Sequence, residues 1–409
     1  MLEKADKQDP FEASASAVGY VYQLRKALHS CVERHGRGID WSIAIEAGDD
    51  IEETDSSGKV LQQLKHRAPG VRMTDSSSDL WKTLRIWSHA VINQRIELDE
   101  TDLLLLTTAE LPVGSVGHLL QPVATGVRDE EQALRALVSA RSASSSRDNK
   151  KAYEAFDKLS GDQRRAMLAR VQVLGDAPDV DAVEALLLER VVLAVGHQYA
   201  RPFLQRLEGW FYQRTIRQLR AKEVDAITGN EFDQVFTDLR NQFRPENLPI
   251  DVDIAGLEPD LIDYGDMNFV RQLNLIELGS TQIGIAVRDY VRAYTQRSRW
   301  SAENLLLPGE IGQYERRLTE EWRDHFAEME DELGAAATEV QKVAMARTVY
   351  RWATREARRR IRTDCDEPFV SKGSYHILAD DLKIGWHVDF MTRLMAILEP
   401  VEVSARDSV

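Results

Sequence analysis

The sequence predicts an α/β fold in its first half and a mostly α-helical second half. Apolar Trp41, Ile43 and Ile45 occupy alternate positions, which is the period of a strand with one buried face. From residue 230 onwards apolar residues recur at helical spacing instead, with one break in a proline-containing loop at 244–254. Because 409 residues are too many for one ordinary core, we expect two domains, residues 1–225 and 226–409.

The composition excludes several classes of protein. The longest apolar run, residues 103–106, suits a buried strand and is far too short for a membrane span. Cys31 and Cys365 give neither a disulfide framework nor the spacing of metal ligands. The first ten residues lack the apolar core of a secretory signal, so we expect a cytoplasmic protein. The net charge of −15 repels nucleic acid on average, so any DNA contact requires a local basic patch or a partner.

Period and turn residues predict six elements in the first domain, in the order helix, strand, short strand, strand, helix and strand. They are residues 14–34, 41–45, 50–53, 59–66, 79–96 and 103–108. From residue 129 the apolar period is helical throughout, and Ser160 with Gln163 predicts a capping box at one helix start. These later helices are expected to cover the sheet of the first domain.

The three strands of this order are predicted to gather a cluster of polar side chains. Gln63 and Lys65 share one face of the third strand, because residues two apart point the same way. Glu46, Asp49 and Asp50 precede or begin the second strand. Mg²⁺ takes hard oxygen ligands, usually one or two carboxylates completed by water and substrate phosphate. A lysine beside such a site can orient or deprotonate the attacking water and offset charge on the phosphate.

The second half is predicted to consist of long helices. Those we assign are residues 231–243, 275–300, 311–333 and 335–363. The last of them carries a basic run, Arg355, Arg358, Arg359, Arg360 and Arg362. This run suits phosphate contact, but the acidic residues of the preceding helix offer the stronger interpretation, neutralisation within an antiparallel helix pair. His376 and His387 have no neighbours at metal-ligand spacing, so we expect structural roles for them.

Several motifs in both halves resemble those of a known group of proteins. Asp50 is followed, after a gap of twelve residues, by Gln63-x-Lys65. This spacing resembles the layout of restriction-endonuclease-like nucleases in their Gln-x-Lys variant. G-Y-V-Y-Q at 19–23, I-E-A-G-D-D-I at 45–51, Q-L-K-H at 63–66 and L-W-K-T-L at 80–84 resemble the double-stranded-DNA endonuclease domain of CBASS effectors and of Lamassu and related ABC three-component anti-phage systems. The segments at 287–301, 314–322 and 384–390 resemble the C-terminal domain of three-component effectors, and not the cyclic-nucleotide sensor of CBASS proteins.

This resemblance implies a restriction-endonuclease-like α-β-β-β-α-β core and an endonuclease that uses Mg²⁺ or Mn²⁺ to cut double-stranded DNA. By motif position, Asp50 and Gln63 are metal-site residues, Lys65 is the catalytic lysine and Glu46 is an additional acid. Asp49 is the less favoured neighbour, and Tyr20 and Gln23 on the first helix are placed to support the site. Gln63 stands where the commoner site has a second carboxylate, which implies weak metal binding until DNA phosphate completes the ligand shell.

The resemblance further implies partners. The chain would be the nuclease subunit of a Lamassu-type complex, held inactive by an SMC-like ATPase and a small third subunit. Released on DNA sensing, it would self-associate as a tetramer and cut DNA to abort infection. Two other interpretations stay open: a docking subunit with a degenerate nuclease domain, which the acidic charge and long helices favour, and a nuclease that acts on RNA.

Overall fold

The structure, a computed structural model, describes residues 10–144, 146–221, 223–334, 336–357 and 359–398. The chain divides into two compact units, residues 1–239 and 240–409. Within the described ranges, no helix has the length and apolar character that crossing a membrane requires.

The first six elements follow one another in the predicted order. They are α1 (Pro10–His35), β1 (Trp41–Ile45), β2 (Ile51–Asp55), β3 (Gly58–Lys65), α2 (Ser78–Ile92) and β4 (Thr101–Thr107). The remaining elements of the first unit are α3 (Val116–Leu119), α4 (Glu130–Ala143), α5 (Lys150–Asp157), α6 (Gly161–Arg170), β5 (Val171–Leu174), α7 (Val180–Val195), α8 (Ala200–Arg220), β6 (Ile227–Thr228) and α9 (Gly229–Gln242). The predicted capping box of Ser160 and Gln163 is confirmed at the start of α6.

The strands form one six-stranded mixed sheet in the order β5-β4-β3-β2-β1-β6. Strands β1, β2 and β3 are an antiparallel meander, whereas β4 lies parallel to β3 and β5 parallel to β4. The connection through α2 allows the parallel pairing, because parallel neighbours need a crossover. On one face of the sheet, Leu61, Leu103 and Leu105 pack in a core with Trp81 and Trp87 of α2.

Two short strands were not predicted. β5 and β6 fall in the stretch whose period is helical, and they contain only four and two residues. Such short segments show too few alternations for a period of two to be recognised. Each of them extends the sheet at one edge, where the outer strand would otherwise have unpaired backbone groups. β5 pairs with β4, and β6 pairs with β1.

The first unit extends beyond the predicted boundary after residue 225, because β6 and α9 pack on β1. Phe232 of α9 contacts the ring of Trp41, with centroids 5.9 Å apart. A side chain at Gly229 would lie 2.3 Å from the carbonyl oxygen of Ile39, so only glycine permits this close approach. The mostly helical part of the chain therefore begins after Leu239.

The second unit is helical, as predicted. Its helices are α10 (Val252–Ala255), α11 (Asn268–Leu275), α12 (Ser280–Ala302), α13 (Glu310–Leu333), α14 (Glu339–Arg355), α15 (Pro368–Asp380) and α16 (Phe390–Leu398). Helices α12 and α15 pack closely at Gly373, where a Cβ atom would lie 2.1 Å from the carbonyl oxygen of Asp289. His376 and His387 are both buried.

The helix predicted over 335–363 was too long, since α14 ends at Arg355. The arginines that follow α14 pair with acidic residues at three different places in the chain. Arg359 pairs with Glu321 at 3.4 Å, Arg360 with Asp366, and Arg362 with Glu310 at 2.8 Å. Glu321 and Glu310 both belong to α13, so neutralisation by this helix is confirmed for Arg359 and Arg362, whereas Arg358 lies outside the described residues.

Candidate functional site

The candidate site begins at the loop of residues 46–50, which joins β1 to β2. The loop is closed by a backbone hydrogen bond in which Glu46 N donates to the carbonyl oxygen of Asp50 at 3.1 Å. Glu46 has a φ of +54°, in the left-handed region that non-glycine residues seldom adopt. Residues held in such conformations are concentrated at functional sites. The tight loop places three acidic residues beside the end of β3.

Strand register sets Asp50 against β3. Ile51, the first residue of β2, pairs with Gln62, and β3 continues beyond this pair. Beyond that pair, the Asp50 carboxylate accepts a hydrogen bond that a strand carbonyl would otherwise accept. The donor is the backbone N–H of Leu64, which lies 2.7 Å from Asp50 Oδ2. The side chain of Asp50 is therefore fixed by the strand that carries Gln63 and Lys65.

Gln63 and Lys65 converge on Asp50, as the alternation of β3 predicted. The Lys65 ammonium lies 2.8 Å from Gln63 Oε1 and 3.5 Å from Asp50 Oδ2. Gln63 Nε2 donates to Asp50 Oδ1 at 3.1 Å and also to Asp49 Oδ1. Gln63 is only 3% exposed, while Lys65 and Asp50 keep part of their side-chain surface in solvent. Asp50, Gln63 and Lys65 thus form one hydrogen-bonded cluster where the loop of residues 46–50 meets the end of β3.

Asp49 is buried behind this cluster. Its Oδ2 accepts a hydrogen bond from Trp87 Nε1 at 2.7 Å. Burial raises the pKa of Asp49 to about 6, although hydrogen bonds from Trp87 and Gln63 oppose the shift. Asp49 thus positions Gln63 and is itself held by α2. Sequence analysis did not assign Trp87 to the site, because its position in the sequence gives no sign of the indole N–H bond to Asp49.

The remaining predicted residues lie around this cluster to different degrees. Partial burial and the nearby Asp50 raise the pKa of Glu46, and Lys65 acts against this rise. Burial and then the charge of Glu46 raise the pKa of Tyr20. For Gln23, the described part of the chain shows no hydrogen bond to the cluster. The structure therefore brings together Asp49, Asp50, Gln63 and Lys65, with Glu46 and Tyr20 beside them.

The donor set fits a hard metal ion only in part. Among the described residues, no group of three or more His, Cys, Asp or Glu side chains is arranged to hold a metal. However, one carboxylate oxygen of Asp50 and the amide oxygen of Gln63 both contact the same cation, the Lys65 ammonium. Two converging protein oxygens are compatible with the way Mg²⁺ is held by few protein ligands plus water and phosphate.

A basic cleft of about 740 Å³ lies beside the loop, lined by Ala47, Gly48 and Trp87 among others. Lys59 and Leu61 also line it, and they share the face of β3 that carries Gln63 and Lys65. The cleft residues include five basic and two acidic side chains: Lys59, Arg85, Arg95, Lys151, Lys158, Glu52 and Glu154. Lys59 pairs with Glu52 at 2.6 Å, whereas the other four cations have no ion-pair partner among the described residues. An acidic protein thus has a local positive surface next to the candidate site.

Fold and site define the first unit as a mixed α/β module with an acid, amide and lysine cluster, and the second as a helical module. Residues 269–394 of the second unit match the family model of C-terminal domain 7 of the ABC-three component (ABC-3C) systems. This match covers less than half of the chain and supports the ABC-3C family for the helical module, as the resemblance of the second half implied. No curated protein matches the sequence.

Solved structures give only a distant likeness. A Cap4 SAVED/CARF-domain containing receptor of Acinetobacter baumannii with the cyclic trinucleotide 3'3'3'-cAAA has 13% identity and a TM-score of 0.33, over 67% of this chain and 58% of that one. The same receptor in another structure has 13% identity and a TM-score of 0.34, over 68% of this chain and 69% of that one. The chain thus spans little more than half the length of the first receptor, and likeness at this level assigns neither fold nor ligand.

Proposed function

We propose that this chain is a metal-dependent endonuclease effector of an ABC-three component anti-phage defence system of the Lamassu type, and that it cleaves double-stranded DNA. The observation that carries the proposal is the convergence of Asp50, Gln63 and Lys65 at the end of β3. The family match of the helical module supports a role in an ABC-3C system.

In this proposal each side chain has a distinct role. Asp50 and Gln63 would hold Mg²⁺ or Mn²⁺ through their oxygens, with Glu46 as a further acid. The chemistry that such an ion would supply there is Lewis-acid polarisation of the phosphodiester and a lower pKa of bound water. Lys65 positions the attacking water and stabilises negative charge that develops on the phosphate. Asp49 orients the Gln63 amide, and Trp87 keeps Asp49 in place.

The direct test is cleavage of supercoiled plasmid by the full-length protein over a range of protein concentrations, with MgCl₂ or with EDTA. We expect cleavage with the metal and none with EDTA. Lys65→Ala should lower the rate at least about a hundredfold, the scale for losing one charge-stabilising group. Lys82→Ala, which removes an exposed lysine of α2, is the matched control and should cut like the parent. Equal rates for Lys65→Ala and the parent would exclude the assigned site.

The basic cleft is the proposed DNA-contacting surface. With EDTA present to prevent cleavage, we expect Lys151→Ala with Lys158→Ala to weaken binding of a fluorescent duplex equally for unrelated sequences. The slope of log K against log salt should become shallower by roughly 0.9 for each phosphate that the variant no longer neutralises. Fluorescence anisotropy at several salt concentrations measures both effects, with Lys82→Ala as the control. An unchanged salt slope would show that DNA binds elsewhere.

A second candidate is a docking subunit whose nuclease site is degenerate. It is favoured by the small donor set, which contains no group of three acidic or histidine ligands among the described residues. It predicts no cleavage at any protein concentration with Mg²⁺ or Mn²⁺, together with tight co-purification with an SMC-like ATPase and a small third subunit. Parallel assays with plasmid and RNA distinguish the DNA endonuclease from a ribonuclease.

The proposed setting follows the same family interpretation. The ATPase partner holds the resting chain inactive in the cytoplasm, and release allows self-association into a tetramer. Analytical ultracentrifugation of the isolated chain, run at the concentrations of the cleavage assay, tests whether activity appears together with a tetramer.

A further inference from the structure

A second cavity lies in the helical unit, between α12, α14 and α15. Its volume is about 620 Å³. Small-molecule sites usually span roughly 300–1,000 Å³, so the cavity is large enough for a nucleotide-sized ligand. The polar and charged residues that line it are Glu277, Thr281, Gln282, Asp289, Arg347, Tyr350, Arg351, Thr354, Arg355, Lys372 and His376. None of the residues assigned to the candidate nuclease site contributes to it.

A row of three arginines forms one wall of this cavity. Arg347, Arg351 and Arg355 are spaced by four residues on α14, so they lie on one helix face. Arg347 is neutralised, because it pairs with Glu277 at 3.1 Å and donates to two backbone carbonyls. Arg351 and Arg355 have no ion-pair partner in the described ranges. Two like charges one turn apart repel each other, so an anion between them would relieve a repulsion that the protein itself leaves in place.

The opposite wall adds a third cation and a buried imidazole. Lys372 and His376 of α15 are one helical turn apart, and both line the cavity. His376 is 1% exposed, and its Nδ1 has no hydrogen-bond partner. Burial, and then the nearby Lys372, lowers the pKa of His376 to about 3, so the imidazole is neutral and can bond to a polar ligand. Buried side-chain nitrogens without partners are uncommon unless a ligand or water completes them.

The acidic residues of the cavity do not cancel this charge. Asp289 is 4% exposed and pairs with Arg288 at 3.2 Å. Glu277 is already paired with Arg347. Arg351, Arg355 and Lys372 therefore leave an uncompensated positive cavity in a chain whose net charge is −15.

We propose that this cavity binds a small phosphorylated molecule of nucleotide size. Arg351, Arg355 and Lys372 hold the phosphate, because guanidinium and ammonium groups form charge-assisted hydrogen bonds with phosphate oxygens. Tyr350 and Ile285 provide the less polar surface for the rest of the ligand. His376 completes its hydrogen bonding at the closed end. The helical unit is thus assigned a ligand site of its own, independent of any nuclease activity.

The test is isothermal titration calorimetry on the full-length protein in EDTA, with ATP, AMP, ribose 5-phosphate, inorganic phosphate and adenosine as separate probes. We expect AMP or ATP to bind more tightly than inorganic phosphate, and adenosine not to bind. The double variant Arg351→Ala/Arg355→Ala should raise Kd at least about tenfold, since it removes two charge-assisted hydrogen-bond donors to the phosphate. The double variant Arg351→Lys/Arg355→Lys should retain part of the affinity, which separates a charge effect from misfolding.

The matched control is Arg316→Ala/Arg323→Ala, which removes two exposed arginines from α13 outside the cavity. Its Kd should equal that of the parent. The proposal is overturned if no phosphorylated probe binds at millimolar concentration, or if inorganic phosphate binds as tightly as the nucleotides. It is also overturned if the control variant weakens binding as much as the cavity variant does. A poly-glutamate peptide that binds when the phosphorylated probes do not would overturn it too, because the arginine row of α14 would then be a protein-docking surface.

Discussion

The two faces of the β1-β2-β3 meander carry charged clusters of different character. On the α1 face, the Arg34 guanidinium bonds to Glu53 at 2.7 Å and to Asp55 at 2.5 Å. On the other face, the Lys65 ammonium bonds to one amide and one carboxylate while Asp49 stays buried without an ion pair. Hydrogen bonds from Ser57 and Arg34 lower the pKa of Asp55 to about 2, whereas burial raises that of Asp49 to about 6.

This difference separates a structural cluster from one suited to chemistry. The Arg34 guanidinium stabilises the ionised carboxylates of β2, which is the usual arrangement of an ion pair that fixes two elements together. On the other face, the Lys65 ammonium contacts the Asp50 carboxylate, and its charge only partly offsets the rise in the pKa values of Asp49 and Glu46. Ion pairs that fix a structure also shift pKa values, as at Asp55, but a carboxyl whose pKa is raised by burial beside a lysine is more typical of a functional site. The comparison therefore favours a structural role for the α1 face, and in the proposed function the chemistry belongs to the other face.

The largest expected difference between the faces is in stability. Arg34→Met leaves the buried Glu53 without its partner, and we expect the free energy of unfolding to fall by about 2–3 kcal/mol. Lys65→Met should cost less than about 1 kcal/mol, because Asp50 keeps the hydrogen bonds from Leu64 and Gln63. Urea unfolding of the two variants measures both values.

Activity should show the reverse order. Lys65→Met abolishes cleavage in the proposed mechanism, while Arg34→Met cuts at the parent rate for each folded molecule. If Lys65→Met destabilised the protein as strongly as Arg34→Met, Lys65 would be one more structural ion-pair residue, and the contrast between the two faces would disappear.

The face that carries the candidate site was also the easier one to predict from sequence. Alternation along β3 is enough to place Gln63 and Lys65 together, and the short loop after β1 limits where Asp50 can lie. The Arg34 cluster depends on how α1 crosses the sheet, which no local pattern encodes. The same is true of the Trp87 bond to Asp49, since it joins residues 38 positions apart. Long-range pairing of this kind also decides where β5 and β6 form, and those strands were missed.

In the second unit the sequence predicted the three long helices α12, α13 and α14 with inexact ends, and it missed the shorter α10, α11, α15 and α16. The predicted helix over 275–300 begins only at Ser280, because Glu277 adopts a left-handed φ of +53° that separates α11 from α12. That break brings Glu277 to Arg347 and helps to form the cavity wall. A pattern of apolar residues indicates which faces are buried, but not where a charged residue will interrupt the helix.

The smallest expected effect is a pH dependence specific to Asp49. The folded protein retains a proton on this carboxyl between its ordinary pKa of 3.8 and about pH 6, where the unfolded chain has released it. Its contribution to stability is therefore present below the lower value and is lost as the pH rises through about 6. Asp49→Asn cannot ionise, so its free energy of unfolding should rise relative to the parent by on the order of 2 kcal/mol from pH 4 to pH 7.

Urea unfolding of parent and Asp49→Asn at several pH values measures this difference, and the other titrating groups cancel because both proteins carry them. Asp162→Asn, at a fully exposed position of α6, is the control, and its difference from the parent should not follow the same curve. A constant difference for Asp49→Asn across this range would mean that Asp49 ionises as it does in the unfolded chain. Burial would then have no effect on the ionisation of Asp49, and the contrast between the two faces would rest on Lys65 alone.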